Sequence, residues 1–202
     1  MTITILVITA AVAASMGFFA SRRSAKKGDL RAADDATNKA PKAALPAAKP
    51  LAGFPLELGD VISSDGQERW LSGAIVAREQ NAIMVLFFAP EGREHWVVVA
   101  HPLPERNILW LRPVEVVSPA EPPATLEIGG FTMHRKSRLP VKLERLGQGA
   151  PDVESTGIVA TYSAGAREVG IVLTSGEQSL AWSGRRIDAS EYERMGKSLD
   201  DE

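Results

Sequence analysis

From Phe54 onward the chain is cut into short apolar runs, and this pattern narrows the possible folds more than any other feature. The runs are rich in Val, Ile, Trp and Phe and are bounded by Gly, Pro, Asp or Ser. That combination reads as a series of β-strands. "GDVIS" opens the series, and "RWLSGAIVARE" follows the turn-like "SSDGQ". "AIMVLFFAP" is apolar without a break, which fits a strand buried on both faces. "PEGRE" reads as a hairpin turn before "HWVVVA". "NILWLRPVEVV" supplies a further strand, in which Pro113 is expected to mark an edge or a bend.

"SPAEPPA", residues 118–124, interrupts the series with three prolines, and the pattern then restarts. In "RLPVKLERLG" Leu139, Val141 and Leu143 alternate with Pro140, Lys142 and Glu144, the period of two of a half-buried strand. "GIVATYS", "VGIVLTS" and "QSLAWSGRRI" follow. "PLELGD" at 55–60 matches "TLEIGG" at 125–130, and "MVLFFAPEGREHWV" at 84–97 resembles "GIVLTSGEQSLAWS" at 170–183. The restart suggests an internal repeat, with halves at 53–117 and 125–196 joined by the Pro-rich connector. One mixed barrel and two small barrel-like units are both compatible with it. At the end, "DASEYERMG" places Asp188 as a helix N-cap, Glu191 three residues later and Gly196 as a stop. A short C-terminal helix is expected there, with Tyr192 and Met195 docked on the β unit. Residues 197–202 form an acidic tail.

The start of the chain is of another kind. Ile3 to Ala20 is a run of 18 residues without a charge. As a helix it would span roughly 27 Å, close to the hydrocarbon core of a bilayer. No Lys or Arg precedes it, whereas Arg22, Arg23, Lys26, Lys27 and Arg31 follow. That order favours a retained single-pass anchor, residues 1–20, over a cleaved signal peptide. The positive-inside bias places the C-terminal domain in the cytoplasm, on the cell inner membrane. The alternative is cleavage within the Ala-rich part of the run and export of the rest. Arg22, Arg23, Lys26 and Lys27 are candidates for contact with anionic headgroups. Residues 21–52 read as a flexible linker, because the stretch 32–50 holds eight Ala and three Pro and no aromatic residue. Its reach as a coil is on the order of 30 Å.

Two stretches resemble a known bacterial family. "FPLELGDVISSDGQERWLSGAIV" and "PATLEIGGFTMHRKSRLPVKLERLGQGAPD", with the late "AWSGRRIDASEYERM", are similar to the family labelled domain of unknown function 4178. The similarity spans roughly residues 54–195. It implies a β-rich bacterial domain with no established activity, some members of which are membrane-associated, and it transfers no catalytic residue.

Chemistry-bearing motifs are sparse. There are no cysteines, so disulfides, thiolate catalysis and Cys-ligated metal are excluded. A net charge of −2 does not suggest a nucleic-acid binder. His95, His101 and His134 lie in no metal-ligand spacing, and no nucleophile-elbow or phosphate-loop pattern occurs. Neither a cofactor nor a catalytic residue is expected. Trp70, Trp96, Trp110 and Trp182 fall in strand segments, where core packing is the expected role; one or two would otherwise line a groove. The basic residues His134, Arg135, Lys136 and Arg138, with Arg185 and Arg186, are a candidate interaction surface. The sequence reading is therefore a membrane-tethered β-rich scaffold or interaction module without enzymatic activity, its partners being the bilayer and an unidentified membrane-associated protein. An exported ligand-binding domain is the alternative.

Overall fold

The structure, a computed structural model, describes residues 51–91, 94–116 and 121–195. They form twelve strands: β1 (Val61–Ser64), β2 (Gln67–Trp70), β3 (Gly73–Arg78), β4 (Ala82–Glu91), β5 (Glu94–Ala100), β6 (Ile108–Pro113), β7 (Thr125–Ile128), β8 (Phe131–Gly147), β9 (Thr156–Ala164), β10 (Glu168–Ser175), β11 (Gln178–Ile187) and β12 (Glu193–Met195). Eight of them close into one antiparallel barrel in the order β3-β4-β5-β6-β11-β10-β9-β8, with β8 pairing back to β3. Four barrel strands come from residues 53–117 and four from 125–196. The alternative of two separate small units is thereby overturned.

The two halves meet at two seams, Gly73–Arg78 against Lys142–Gly147 and Ile108–Pro113 against Trp182–Ile187. Strand β8 is 17 residues long. Along one edge it pairs first with β7 and then with β3; its other edge pairs with β9. A bulge between Arg135 and Ser137 lies at the change-over, where the extra residue bends the strand. A separate sheet, β12-β1-β2, forms a flap outside the barrel.

Three apolar clusters follow from this geometry. The barrel interior is filled by alternate residues of its strands, among them Ile75, Leu86, Phe88, Val97, Val141, Leu173 and Trp182. An eight-stranded barrel is just wide enough for side chains to fill it. A second cluster joins Leu51, Phe54, Leu56, Ile62 and Leu71 to the outward residues Val76, Val85, Phe87, Val98 and Trp110. This explains the unbroken run in β4: Met84, Leu86 and Phe88 face inward, while Val85, Phe87 and Ala89 are covered from outside. The third cluster packs Ile128 and Met133 against Ala160, Tyr162 and Val172.

Several sequence expectations change here. The C-terminal helix does not form. Asp188 N–H donates to Glu191 Oε2 (3.1 Å) and Glu191 N–H to the Asp188 carbonyl (2.8 Å), so the capping contacts exist. The chain nevertheless turns and extends into β12, which pairs with β1. Pairing with an open strand edge, together with the Arg194–Asp60 contact at 2.6 Å, outweighs the local helix signal. Tyr192 does pack on the β unit, and its hydroxyl donates to the Arg106 carbonyl (2.7 Å), whereas Met195 is exposed. Leu51, placed in the linker by composition, is buried in the fold. Pro113 ends β6, which lies inside the barrel wall with a partner on each side rather than at an edge. The two hairpins offered as repeats point opposite faces inward in the quoted register, since Met84 and Leu86 enter the interior cluster while Gly170 and Val172 line the outer side. Among the described residues no helix is long and apolar enough to cross a membrane. The expected anchor 1–20 and the linker to residue 50 lie outside the described residues, as does the acidic tail.

Candidate functional site

A cavity of about 990 Å³ opens at the barrel end where β3, β5 and β11 begin and β4, β6 and β8 finish. Barrel mouths are common ligand sites. Its floor is made by Phe88 of β4 and Trp182 of β11, both buried. Their rings meet edge to face, with centroids 5.8 Å apart and planes at 72°. The two strands are not neighbours in the barrel, so the pair reaches across the interior as part of its apolar cluster. Aromatic edge-to-face pairs add about 0.5–1.5 kcal/mol to the burial itself.

The walls are apolar: Leu180, Ala181, Val114, Val116 and Ala150 line them. Trp70, at the end of β2, stands on the rim and is 60% exposed. One side of the rim is the loop Gly147–Pro151, which crosses directly over Gly73. A Cβ at Gly73 would sit 2.2 Å from the Ala150 nitrogen, so only glycine lets the loop lie this close. Arg145 Nε holds the loop by donating to the Ala150 carbonyl (2.8 Å). The titratable groups in the lining are His95 and Glu115. Among the described residues no hydrogen bond joins His95 to a hydroxyl or carboxylate, and no group of three His, Asp or Glu is placed to hold a metal ion.

A smaller cleft, about 290 Å³, lies between the flap tip and the outer wall, among Ser64, Asp65, Trp96, Trp110, Arg112 and Arg185. The tip is a tight turn in which Asp65 (φ +50°) and Gly66 (φ +71°) are both left-handed. Beside it Arg69 clasps the flap to the barrel. Its guanidinium lies 4.4 Å from the Trp96 ring centroid and 5.5 Å from that of Trp110. Nη1 donates to the Glu68 carbonyl and to Glu91, at 2.9 and 3.0 Å, while the buried Nε has no partner. Cation–π contacts at a desolvated position contribute about 2 kcal/mol, so the cluster is well explained as structural.

The basic residues singled out from sequence lie on two strands, β8 and β11, which β9 and β10 separate in the barrel. On β8 Arg135 donates to the Pro122 carbonyl, Arg138 pairs with Glu121 (3.1 Å), and His134 meets Thr125 Oγ1 at 3.4 Å. Lys136 is exposed on the same strand. Arg185 pairs with Asp65 at the flap tip, and Arg186, its neighbour in β11, approaches Glu105 (4.0 Å). Arg22, Arg23, Lys26 and Lys27 lie outside the described residues. Asp60, in the "LELGD" stretch, is also structural: its carboxylate accepts the Glu57 N–H (2.8 Å) as well as Arg194 Nε.

Of the four tryptophans, Trp110 and Trp182 are buried as expected, while Trp70 joins Trp182 at the mouth. The sequence alone does not bring the residues of that site together. Its only trace there is the placement of a Trp and a Gly-rich turn beside the strand ends. No family model matches the chain, and no curated protein or solved structure matches it.

Proposed function

We propose that this protein is a membrane-tethered, non-catalytic binding module whose barrel mouth receives an apolar group of a partner. The observation that carries this reading is the open apolar mouth over a Phe88–Trp182 floor. Below it the barrel interior is filled by the apolar cluster around Leu86, Val97 and Leu173, so the space above is a pocket and not a channel. Its lining is apolar with few polar groups, the usual character of a recognition pocket. The uncharged run 3–20 and the basic residues after it support a single-pass anchor with the barrel on the cytoplasmic side. Tethering raises the effective concentration of the module toward other membrane-bound partners.

The test uses the full chain in zwitterionic lipid nanodiscs, labelled with 5-fluorotryptophan and titrated with indole as a small apolar probe. The Trp182 and Trp70 fluorine resonances are expected to shift, with Trp96 and Trp110 unmoved, and Leu180→Glu to remove the shift. A Trp182 signal that stays still at millimolar indole would sink the reading.

A further inference from the structure

The mouth is apolar inside and acidic around. Glu115 lies in its lining. Asp152 follows the lining residue Pro151, and Glu177 lies two residues before the lining residue Ser179. Asp152, Glu154 and Glu177 together flank an adjoining cavity of about 550 Å³. This acidic groove is held in shape: the Glu154 N–H donates to Ser175 Oγ (2.9 Å), and a Cβ at Gly176 would meet the Glu154 carboxylate at 2.2 Å. Among the described residues two of the nearby cations, Arg145 and Arg69, are already engaged. Arg145 lies 3.6 Å from Asp152 and Arg69 lies 3.0 Å from Glu91, while Arg112 lines the flap cleft on the outer wall. Among the described residues Glu115, Glu154 and Glu177 have no ion-pair partner, and all three are exposed.

Resting on the binding-module reading, we infer that the mouth docks a basic peptide segment, one apolar side chain entering over Phe88 and Trp182 while flanking Lys or Arg side chains meet Glu115, Glu154 and Glu177. An apolar pocket alone accepts any greasy group. The carboxylates select among them, because charge complementarity favours a cationic partner and repels an anionic one. They also argue against the mouth lying on an anionic leaflet, where like charges would face each other.

The fluorine-labelled full chain in zwitterionic nanodiscs distinguishes these cases. The probes are a peptide with a central Phe-Leu pair flanked by lysines, its counterpart with glutamates in place of the lysines, and indole. The lysine peptide is expected to shift Trp182 and to bind more tightly than the glutamate peptide. The double variant Glu154→Gln, Glu177→Gln should weaken it about three- to tenfold at low salt, the range for two exposed ion pairs. Indole binding should stay unchanged in that variant, because both carboxylates lie outside the apolar floor.

Equal binding of the two peptides, or no effect of the double variant, overturns the basic-peptide inference while a retained indole response leaves the apolar mouth standing. Loss of the indole response as well overturns both readings. A Trp182 shift that follows protein concentration alone would show a second copy in the mouth and refute the inference. A shift on changing to anionic nanodiscs without peptide would show the membrane there instead, and refute it equally.

Discussion

His101 shows how one side chain couples the fold to pH. It follows β5 at the barrel end opposite the mouth, half-buried near Glu105 and Arg186. Burial lowers its pKa by disfavouring the imidazolium; the Glu105 charge opposes that shift and Arg186 adds to it. The unfolded chain protonates this residue near pH 6.5, whereas the folded chain resists until a lower pH. The stability it contributes is thus present above about pH 6.5 and lost as pH falls below it. The melting temperature of the wild type should therefore drop further between pH 8 and pH 5 than that of His101→Asn. Parallel drops in the two proteins would show that this imidazole does not carry the effect.

At the level of elements, β12 is the instructive case. It is three residues long and wholly exposed, so little burial holds it. Its attachment comes from the ladder to β1 and from Arg194, whose Nε reaches the Asp60 carboxylate and whose Nη1 donates to the Pro55 carbonyl (3.1 Å). Asp60 is 3% exposed, so removing its charge leaves a donor without its acceptor. Asp60→Ala is expected to cost about 1–3 kcal/mol. Hydrogen exchange at Glu193–Met195 should accelerate in that variant while the barrel strands β4 and β10 keep their protection. Unchanged exchange at β12 would assign its attachment to the backbone ladder alone.

At the scale of the whole molecule, closure joins distant parts of the chain. Gly73 pairs with Gly147, and in the flap Val61 pairs with Met195. Each half supplies four barrel strands with an apolar inner face, and the two faces share one interior cluster. Residues 51–117 and 121–196 expressed separately are therefore expected to lack stable structure. Amide exchange and near-ultraviolet circular dichroism of each fragment against the intact chain would reveal it. A fragment with native-like protection would mean that each half folds on its own. The long-range pairings also predict folding in milliseconds to seconds, the range of barrel topologies.

Local physics made much of this readable in the sequence. Strand identity was encoded in period-two alternation at Leu139, Val141 and Leu143 and in the unbroken run of β4, because side-chain direction alternates along any strand. The turn at Asp65–Gly66 was equally local, since few residues accept left-handed backbone. Nearest-neighbour signals did not decide between one barrel and two units, because that depends on which strand edges find each other across 64 to 79 residues. The same reason hid the mouth: Phe88, Trp182, Trp70 and the Gly147–Pro151 loop are far apart in the chain and meet only when β3 pairs with β8 and β6 with β11. It also explains the lost helix at Asp188, where the capping contacts formed as written but an open edge on β1 and a buried carboxylate at Asp60 claimed the residues that followed. The sequence by itself determined strands and turns, which answer to neighbours within a few residues. Only the tertiary structure decided the closure, the pocket and the path of the C-terminal segment, because these depend on pairings that the chain makes with its own distant parts.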